Sequence, residues 1–331
     1  MVKRLDKIAL CASIFAFSVI ALGALTRLLD AGLGCPDWPG CYGHMTVLGA
    51  LQDGTTLVPY KAWLEMIHRY FVGGLSLLVL VIVASIFGLR QFRTRVNCVL
   101  ASALVVLLLY QILLGRFTVT LKLLPAIVSQ HLLGGFLILS CLWLIFLNLK
   151  PRQFYTAKHH EKKFLPFAII ALVLVFLQIS LGAWTSTNYA ALSCSHFPFC
   201  QRDAVMVWDF KEAFQFMRPI GVNYDGGVLA EPVRQTIQMT HRMGALIVTL
   251  YLVILMMCAM PGLRYLPHLQ RCLFPILGLL SVQLCLGISN VIFKLPLITA
   301  LGHNLVAAML LLSVLTWVFE LAILDKQEAS V

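Results

Sequence analysis

The sequence predicts an all-α integral membrane protein, with eight transmembrane helices arranged as two pseudo-symmetric four-helix bundles. One observation behind this is composition: 60% of the 331 residues are hydrophobic and 12% are charged, with a mean hydropathy of +0.90. Soluble domains are about half apolar and a quarter charged. The other observation is a repeat, since polar positions of the first half recur in the second half at a nearly constant spacing.

Eight apolar runs are long enough to cross a bilayer, which takes on the order of 20 residues. We interpret the first run as a helix and not as a signal peptide, because no small-residue cleavage site follows it. The predicted helices cover residues 8–27, 65–89, 97–119, 126–148, 164–186, 236–260, 271–293 and 298–322. Two long loops, at about 28–64 and 187–235, separate them.

Basic residues follow the even-numbered helices and precede the first one. Because Lys and Arg concentrate in cytoplasmic loops, both termini are expected in the cytoplasm and both long loops outside. The formal charge of +11 is explained in the same way, without nucleic-acid binding. The residues are Lys3, Arg4, Lys7, Arg90, Arg93, Arg95, Lys150, Arg152, Lys158, Lys162, Lys163, Arg264 and Arg271.

The repeat divides the chain into two predicted domains, 1–150 and 151–331. Segment 22–26 matches 181–185 at a spacing of 159 residues, and the outer cysteines match at the same spacing. Four helices per half give both halves one orientation, so an axis along the membrane normal should relate them. The other matched sets are His68-Arg69 with His241-Arg242, and Gln111, Gly115, Lys122 and His131 with Gln283, Gly287, Lys294 and His303.

Four histidines, His68, His131, His241 and His303, lie near the starts of the even-numbered predicted helices. The repeat puts two of them in each half, on different helices of one bundle. Bundle cores commonly hold cofactors between facing side chains, and an imidazole pair suits a heme iron with two axial ligands. Zinc usually takes three or four protein ligands, and its typical Cys/His spacings are absent from the sequence. We therefore predict one bis-histidine heme site in each half.

Glu65 lies one helical turn before His68, whereas the repeat puts Gln238 at the corresponding position. A carboxylate there can act as a general base or stabilise a cationic intermediate. The alternative is a helix-start acid favoured by the helix dipole. We predict that only the first half carries out proton chemistry.

Arg69 and Arg242 directly follow their histidines. A guanidinium pairs well with a carboxylate, so these residues are candidates for contact with a heme propionate. Snorkelling to the lipid headgroups is an equally good interpretation.

Ten cysteines fall into two groups. The outer loops contain the pairs Cys35/Cys41 and Cys194/Cys200, where an oxidising compartment favours disulfides of structural or redox-active type. The others are predicted to be buried, inert thiols in or beside the apolar runs. They are Cys11, Cys98, Cys141, Cys258, Cys272 and Cys285.

Several motifs stand in a fixed order along the chain. They are Gly-Leu-Gly-Cys-Pro-Asp-Trp-Pro-Gly-Cys at 32–41, Glu65-x-x-His68-Arg69, Gln130-His131, His241-Arg242 and Gly302-His303. As a set they resemble the heme A synthase family, and the resemblance covers nearly the whole chain. Five residues separate the first two cysteines here, where six are common in the family.

The resemblance implies an oxidoreductase of the bacterial cytoplasmic membrane that converts heme O to heme A for terminal oxidases. It oxidises the C8 methyl group to a formyl group by successive hydroxylations and loss of water. It also implies a heme b cofactor on His241 and His303, a substrate heme site at His68 and His131, a catalytic Glu65, and a Cys35–Cys41 disulfide important for activity.

The expected partners are heme O, membrane lipid, an electron donor and heme O synthase; self-association stays open, and nucleic acid is not expected. Two alternatives are a di-heme membrane cytochrome that only carries electrons and a transporter with parallel repeats. The cytochrome is disfavoured because Glu65 has no acidic counterpart in the second half. A transporter needs polar groups at the membrane midplane, whereas the ionisable residues here cluster near one face.

Overall fold

The computed structural model describes residues 4–53, 56–151, 162–200 and 206–328. Within these ranges the chain forms long helices, and long loops follow the helices Leu5–Leu28 and Leu165–Thr187 on one face of the bundle. We call this the long-loop face. The helices are α1 Leu5–Leu28, α2 Val47–Gln52, α3 Pro59–Gly88, α4 Arg95–Thr120, α5 Pro125–Leu149, α6 Leu165–Thr187, α7 Phe210–Ala213, α8 Glu231–Gly262, α9 Pro267–Arg271, α10 Leu273–Ile292 and α11 Leu297–Glu328.

Eight segments in the described part of the chain are long and apolar enough to cross a membrane, which confirms the predicted number. Seven of them are single helices, and the remaining one, Pro267–Ile292, combines α9 and α10. The predicted basic residues Lys3, Arg152 and Lys158 lie outside the described residues. The placement of both termini in the cytoplasm stays a prediction.

The two spans that begin furthest ahead of their predicted starts, residues 65 and 236, are α3 at Pro59 and α8 at Glu231. Each has a proline in its first turn, where the missing N–H would be unpaired in any case. Charged residues interrupt these turns, so a search for apolar runs misses them. Glu65 is therefore in the second turn of α3, where the favourable effect of the helix dipole on an acid has largely faded.

The first half packs α1 against α3 and α5, and α4 against the same two helices. The helices α3 and α5 are thus opposite each other, with α1 and α4 between them. In the second half α6 and α10 separate α8 from α11 in the same way. The symmetry axis predicted between the halves stays a prediction.

The two halves meet along α1, α5, α6 and α11, through one apolar core that draws residues from both. Hydrogen bonds between helices supplement this core. The hydroxyls of Ser129 and Thr187 lie 2.9 Å apart, and Trp143 Nε1 donates to Thr316 Oγ1 at 2.8 Å.

On the long-loop face, the ends of α1 and α6 meet through polar contacts between the halves. Arg27 donates to the Ser186 carbonyl at 2.6 Å and stacks on the Tyr189 ring. The Tyr189 hydroxyl donates to Asp225 at 2.8 Å and to Asp30 at 3.2 Å. Burial raises the pKa of Tyr189 to about 12, so its phenol stays protonated and donates at neutral pH.

The burial predicted for the other six cysteines is wrong for three of them. Cys11, Cys258 and Cys285 are free thiols exposed on the surfaces of their helices, while Cys98, Cys141 and Cys272 are half-buried. The apolar run around a cysteine does not distinguish a core-facing side chain from one on the outer surface of a bundle. In a membrane protein both surfaces are apolar.

Candidate functional site: two histidine pairs

The first histidine pair joins the two opposite helices of its half. His68 comes from α3 and His131 from α5, and their ring centroids lie 6.5 Å apart with the ring planes at 82°. Metal–imidazole nitrogen distances are about 2 Å, so two rings on opposite sides of one metal ion have centroids roughly 6 Å apart. The spacing of this pair therefore suits a shared metal ion.

The second pair consists of His241 on α8 and His303 on α11, again from opposite helices, and the two imidazoles are close enough to interact electrostatically. Here each ring also contacts a glutamine side chain. Gln178 Nε2 lies 3.0 Å from His241 Nδ1, and Gln283 Nε2 lies 3.2 Å from His303 Nε2.

Each of the four imidazoles packs against a glycine on a neighbouring helix. A Cβ added to any of these glycines would lie 3.1–3.4 Å from the Cε1 atom of the histidine, closer than most real Cβ contacts. At Gly23, Gly182 and Gly287 a Cβ would require the ring to shift by a few tenths of an ångström, whereas at Gly115 the distance of 3.4 Å is close to an ordinary contact. The pairs are Gly23 with His68, Gly115 with His131, Gly182 with His241, and Gly287 with His303.

The sequence did not assign these glycines a role, although the repeat contains all four of them. Four other glycines lie close to the histidines in sequence: Gly73, Gly74, Gly134 and Gly135. A Cβ on Gly73 would meet nothing within 4 Å, and one on Gly134 would collide with the Gln111 amide. The signal that identifies the ring-contacting glycines is their recurrence in both halves at a fixed spacing from the histidines.

The two pairs fit the chemistry of a heme better than that of a bare metal ion. The Nδ1 atom of His131 is buried without a hydrogen-bond partner among the described residues, so this ring has a nitrogen free to coordinate a metal ion. The described residues contain no group of three or more His, Cys, Asp or Glu placed to hold a metal ion. A heme carries its own four equatorial ligands and requires only two from the protein.

Glu65 and Gln238 perform the same structural task in their respective halves. Glu65 is 5% exposed, and its Oε2 accepts the Cys35 N–H at 2.9 Å. Gln238 is 4% exposed, and its Oε1 accepts the Cys194 N–H at 2.5 Å. Each side chain thus fixes the first cysteine of a long loop to the helix that carries the histidine.

The arginines that follow the histidines hold the same loops. Arg69 forms an ion pair with Glu65 and donates to the carbonyls of residues 37, 39 and 40. Arg242 donates to the carbonyls of residues 194, 196, 198 and 199. The hydrogen bonds of both arginines therefore attach the loops to the helices. Contact of either arginine with a heme propionate stays a prediction.

Both predicted cysteine pairs are disulfide-bonded, Cys35 to Cys41 and Cys194 to Cys200. All four cysteines are buried, and each bond closes the loop that the neighbouring arginine holds. The loop, its disulfide and its arginine form one unit above each histidine pair.

These features define a class: a multi-pass helical membrane protein with two half-buried histidine pairs suited to tetrapyrrole iron. A family model described as cytochrome oxidase assembly protein, COX15-CtaA, matches residues 6–315. The chain therefore belongs to the COX15-CtaA family of cytochrome oxidase assembly proteins.

Curated relatives agree with this membership. The chain is 42% identical over 315 residues to Heme A synthase of Shewanella oneidensis, and the match covers 92% of each protein. It is 25% identical to Heme A synthase of Rickettsia akari, over 92% of this chain and 94% of the relative. For Heme A synthase of Bacillus pumilus the identity is 24%, over 86% and 85%.

Proposed function

We propose that this protein is a heme A synthase, a membrane oxidoreductase that oxidises the C8 methyl group of heme O to a formyl group. Successive hydroxylations and loss of water yield the heme A needed for terminal oxidase assembly. The observation that carries this proposal is the pair of half-buried imidazoles with centroids 6.5 Å apart, present in a member of this family.

In this proposal the second half holds a resident heme b on His241 and His303, and the first half binds the substrate between His68 and His131. The resident heme supplies one-electron redox chemistry at its iron. Two histidines from opposite helices would hold each heme, His68 and His131 in the first half and His241 and His303 in the second. The glycines that contact the rings allow this close approach.

Glu65 is the proposed catalytic residue of the substrate half. It lies one turn before His68, on the same face of α3. Oxidation of a methyl group requires a group that accepts protons, and a positioned carboxylate can do so. The comparison with Gln238 supports a catalytic role for Glu65. Gln238 is uncharged and attaches its loop in the same way, so loop attachment alone does not explain the carboxylate of Glu65.

The remaining assignments concern the long-loop face, which is proposed to lie outside the cytoplasm, with both termini inside. The Cys35–Cys41 bond and Arg69 then keep the first loop above the substrate site. Reporter fusions after Lys150 and at the C-terminus are expected to read cytoplasmic, and fusions near Asp53 or Asp225 external. The opposite reading at the C-terminus would contradict this orientation.

The decisive experiment is heme extraction and chromatography from cells that express the protein together with heme O synthase. The host must lack its own heme A synthase. Heme A is expected only when both proteins are present. Bound heme with unmodified heme O as the sole product would instead support a di-heme electron-transfer cytochrome.

A further inference from the structure

Gln111 on α4 places a buried amide beside the proposed substrate site. The residue is 8% exposed, and a Cβ on Gly134 of α5 would collide with its Nε2. Gly134 follows His131 by three residues, so the two lie on one face of α5. On α4, Gly115 follows Gln111 by four residues and is the glycine that faces the His131 ring. The amide therefore lies about one helical turn from the His131 ring, between the same two helices.

The amide nitrogen of Gln111 is deep in the bundle and has no partner. Its Nε2 is buried without a hydrogen-bond partner among the described residues. Gln111 lies nine residues before Thr120, where α4 ends, and Gly134 lies nine residues after Pro125, where α5 begins. Both positions are thus roughly 14 Å from the helix ends. The hydrocarbon core of a membrane offers no water to an unpaired N–H group, so a donor here calls for an acceptor that arrives with a ligand.

The second half shows how far a glutamine at this position reaches. The spacing of 172 residues relates Gln111 to Gln283 and Gly134 to Val306. A valine side chain thus stands where the first half leaves space for the amide, and Gln283 Nε2 lies 3.2 Å from His303 Nε2. The position therefore gives access to the imidazole of its site. Of the two amide nitrogens, that of Gln111 is the one without a partner among the described residues.

The chemistry of the proposed substrate supplies a suitable acceptor. Heme O differs from heme B in one side chain, where a farnesyl-bearing chain with a hydroxyl group replaces a vinyl group. The two propionates of heme O are charged and belong near the membrane surface. The hydroxyl is its only uncharged oxygen, it sits on an apolar chain, and a hydroxyl oxygen accepts hydrogen bonds.

We propose that Gln111 is a specificity-determining residue of the first half, and that its Nε2 donates to the hydroxyl of the farnesyl-bearing side chain of heme O. This inference rests on the proposed function and names the substrate group that the site selects. Heme B lacks the hydroxyl and would leave the donor buried and unpaired. A site built to hydrogen-bond a substrate hydroxyl discriminates against an analogue without it for this reason.

The test measures heme binding to the purified full-length protein that contains its resident heme b. Heme O and heme B are titrated separately, and low-spin absorption reports occupancy of the first half. Gln111→Met removes the donor and keeps an unbranched side chain, so the affinity for heme O should fall about 2–10-fold while that for heme B stays unchanged. Ser140→Ala on α5 is the control, because the Ser140 hydroxyl bonds within its own helix to the Phe136 carbonyl at 2.8 Å. It should leave both affinities unchanged.

Gln111→Met removes an unpaired donor, so it should keep the melting temperature and the heme b content of the unsubstituted protein. If it does not fold, Gln111→Asn decides, since it withdraws the amide by one methylene and should weaken binding of heme O alone.

Unchanged affinity for heme O, or equal weakening for heme O and heme B, would overturn the inference. Weaker binding confined to the C8-hydroxylated product would also overturn it, because the acceptor would then be the oxygen that the reaction installs. An unsubstituted protein that neither binds heme O nor yields heme A would overturn the proposed function instead, so the two failures are distinguishable.

Discussion

The first half attaches its disulfide loop with a carboxylate, and the second half attaches its own with a carboxamide. Glu65 and Gln238 accept the same backbone N–H, that of the first cysteine in each loop. The neighbouring arginines use the same atom, Nη2, differently. Nη2 of Arg69 pairs with the Glu65 carboxylate, whereas Nη2 of Arg242 donates to the Cys194 carbonyl. Loop attachment is thus possible without a charge, and the negative charge of Glu65 requires another explanation.

The largest expected effect separates the two histidine pairs. His241→Ala or His303→Ala should abolish low-spin heme b in the purified protein, because a bis-histidine site loses one of its two axial ligands. His68→Ala or His131→Ala should keep that heme and lose heme A production. Optical spectra and heme chromatography of all four variants check this. Retention of heme b in the His241→Ala/His303→Ala double variant would disprove the assignment.

The next effect isolates the charge of Glu65. Glu65→Gln introduces the residue type that the second half has at the matching position, Gln238. The variant should therefore fold, keep its first loop attached and retain heme b. Loss of a positioned general base typically lowers a rate by about 10²–10⁴-fold, and heme O or a hydroxylated intermediate should accumulate. Heme chromatography measures the products.

Gln238→Glu is the matched control for that variant. It places a carboxylate in the half that is not proposed to carry out chemistry, so heme A output should stay high. Normal heme A output from Glu65→Gln would show that Glu65 serves only to attach the loop.

A smaller effect tests the glycine contacts in each half separately. Gly23→Ala should impair the substrate site and Gly182→Ala the heme b site, because each new Cβ would lie 3.1–3.2 Å from a histidine Cε1 atom. Overpacking of this kind costs about 1–3 kcal/mol. Heme b content and heme A output report the two sites.

Gly73→Ala is the control for those substitutions, since a Cβ at that position would meet nothing within 4 Å. It should leave both heme b content and heme A output unchanged. If Gly23→Ala lowered heme b content as much as Gly182→Ala did, the two sites would not be separable in this way.

The smallest effect concerns the junction between the halves. Tyr189→Phe removes the hydroxyl that donates to Asp225 and Asp30. Loss of such a hydrogen bond costs about 0.5–1.5 kcal/mol, so the melting temperature in detergent should fall slightly while heme b remains. A large loss of heme would mean that the junction also positions the histidines.

Local features of the sequence predicted much of this molecule. Apolar runs predicted all eight spans, because a bilayer requires about 20 apolar residues in each. The beginnings of α3 and α8 were missed, since a helix continues beyond the membrane wherever its backbone bonds are satisfied and its surface is polar. The cysteine pairs were predicted from their position in outer loops that face an oxidising compartment, and both are bonded.

The sequence by itself also determined which residues recur, and so identified the histidine pairs and the single difference between Glu65 and Gln238. Only the tertiary structure decided which residues contact one another across helices and loops. Gly23 and Gly182 contact imidazoles on other helices, Arg69 and Arg242 donate to loop carbonyls, and Gln178 contacts His241. Contacts between helices depend on the rotation and depth of each helix in the bundle, and neither quantity is encoded in the spacing of residues along one chain.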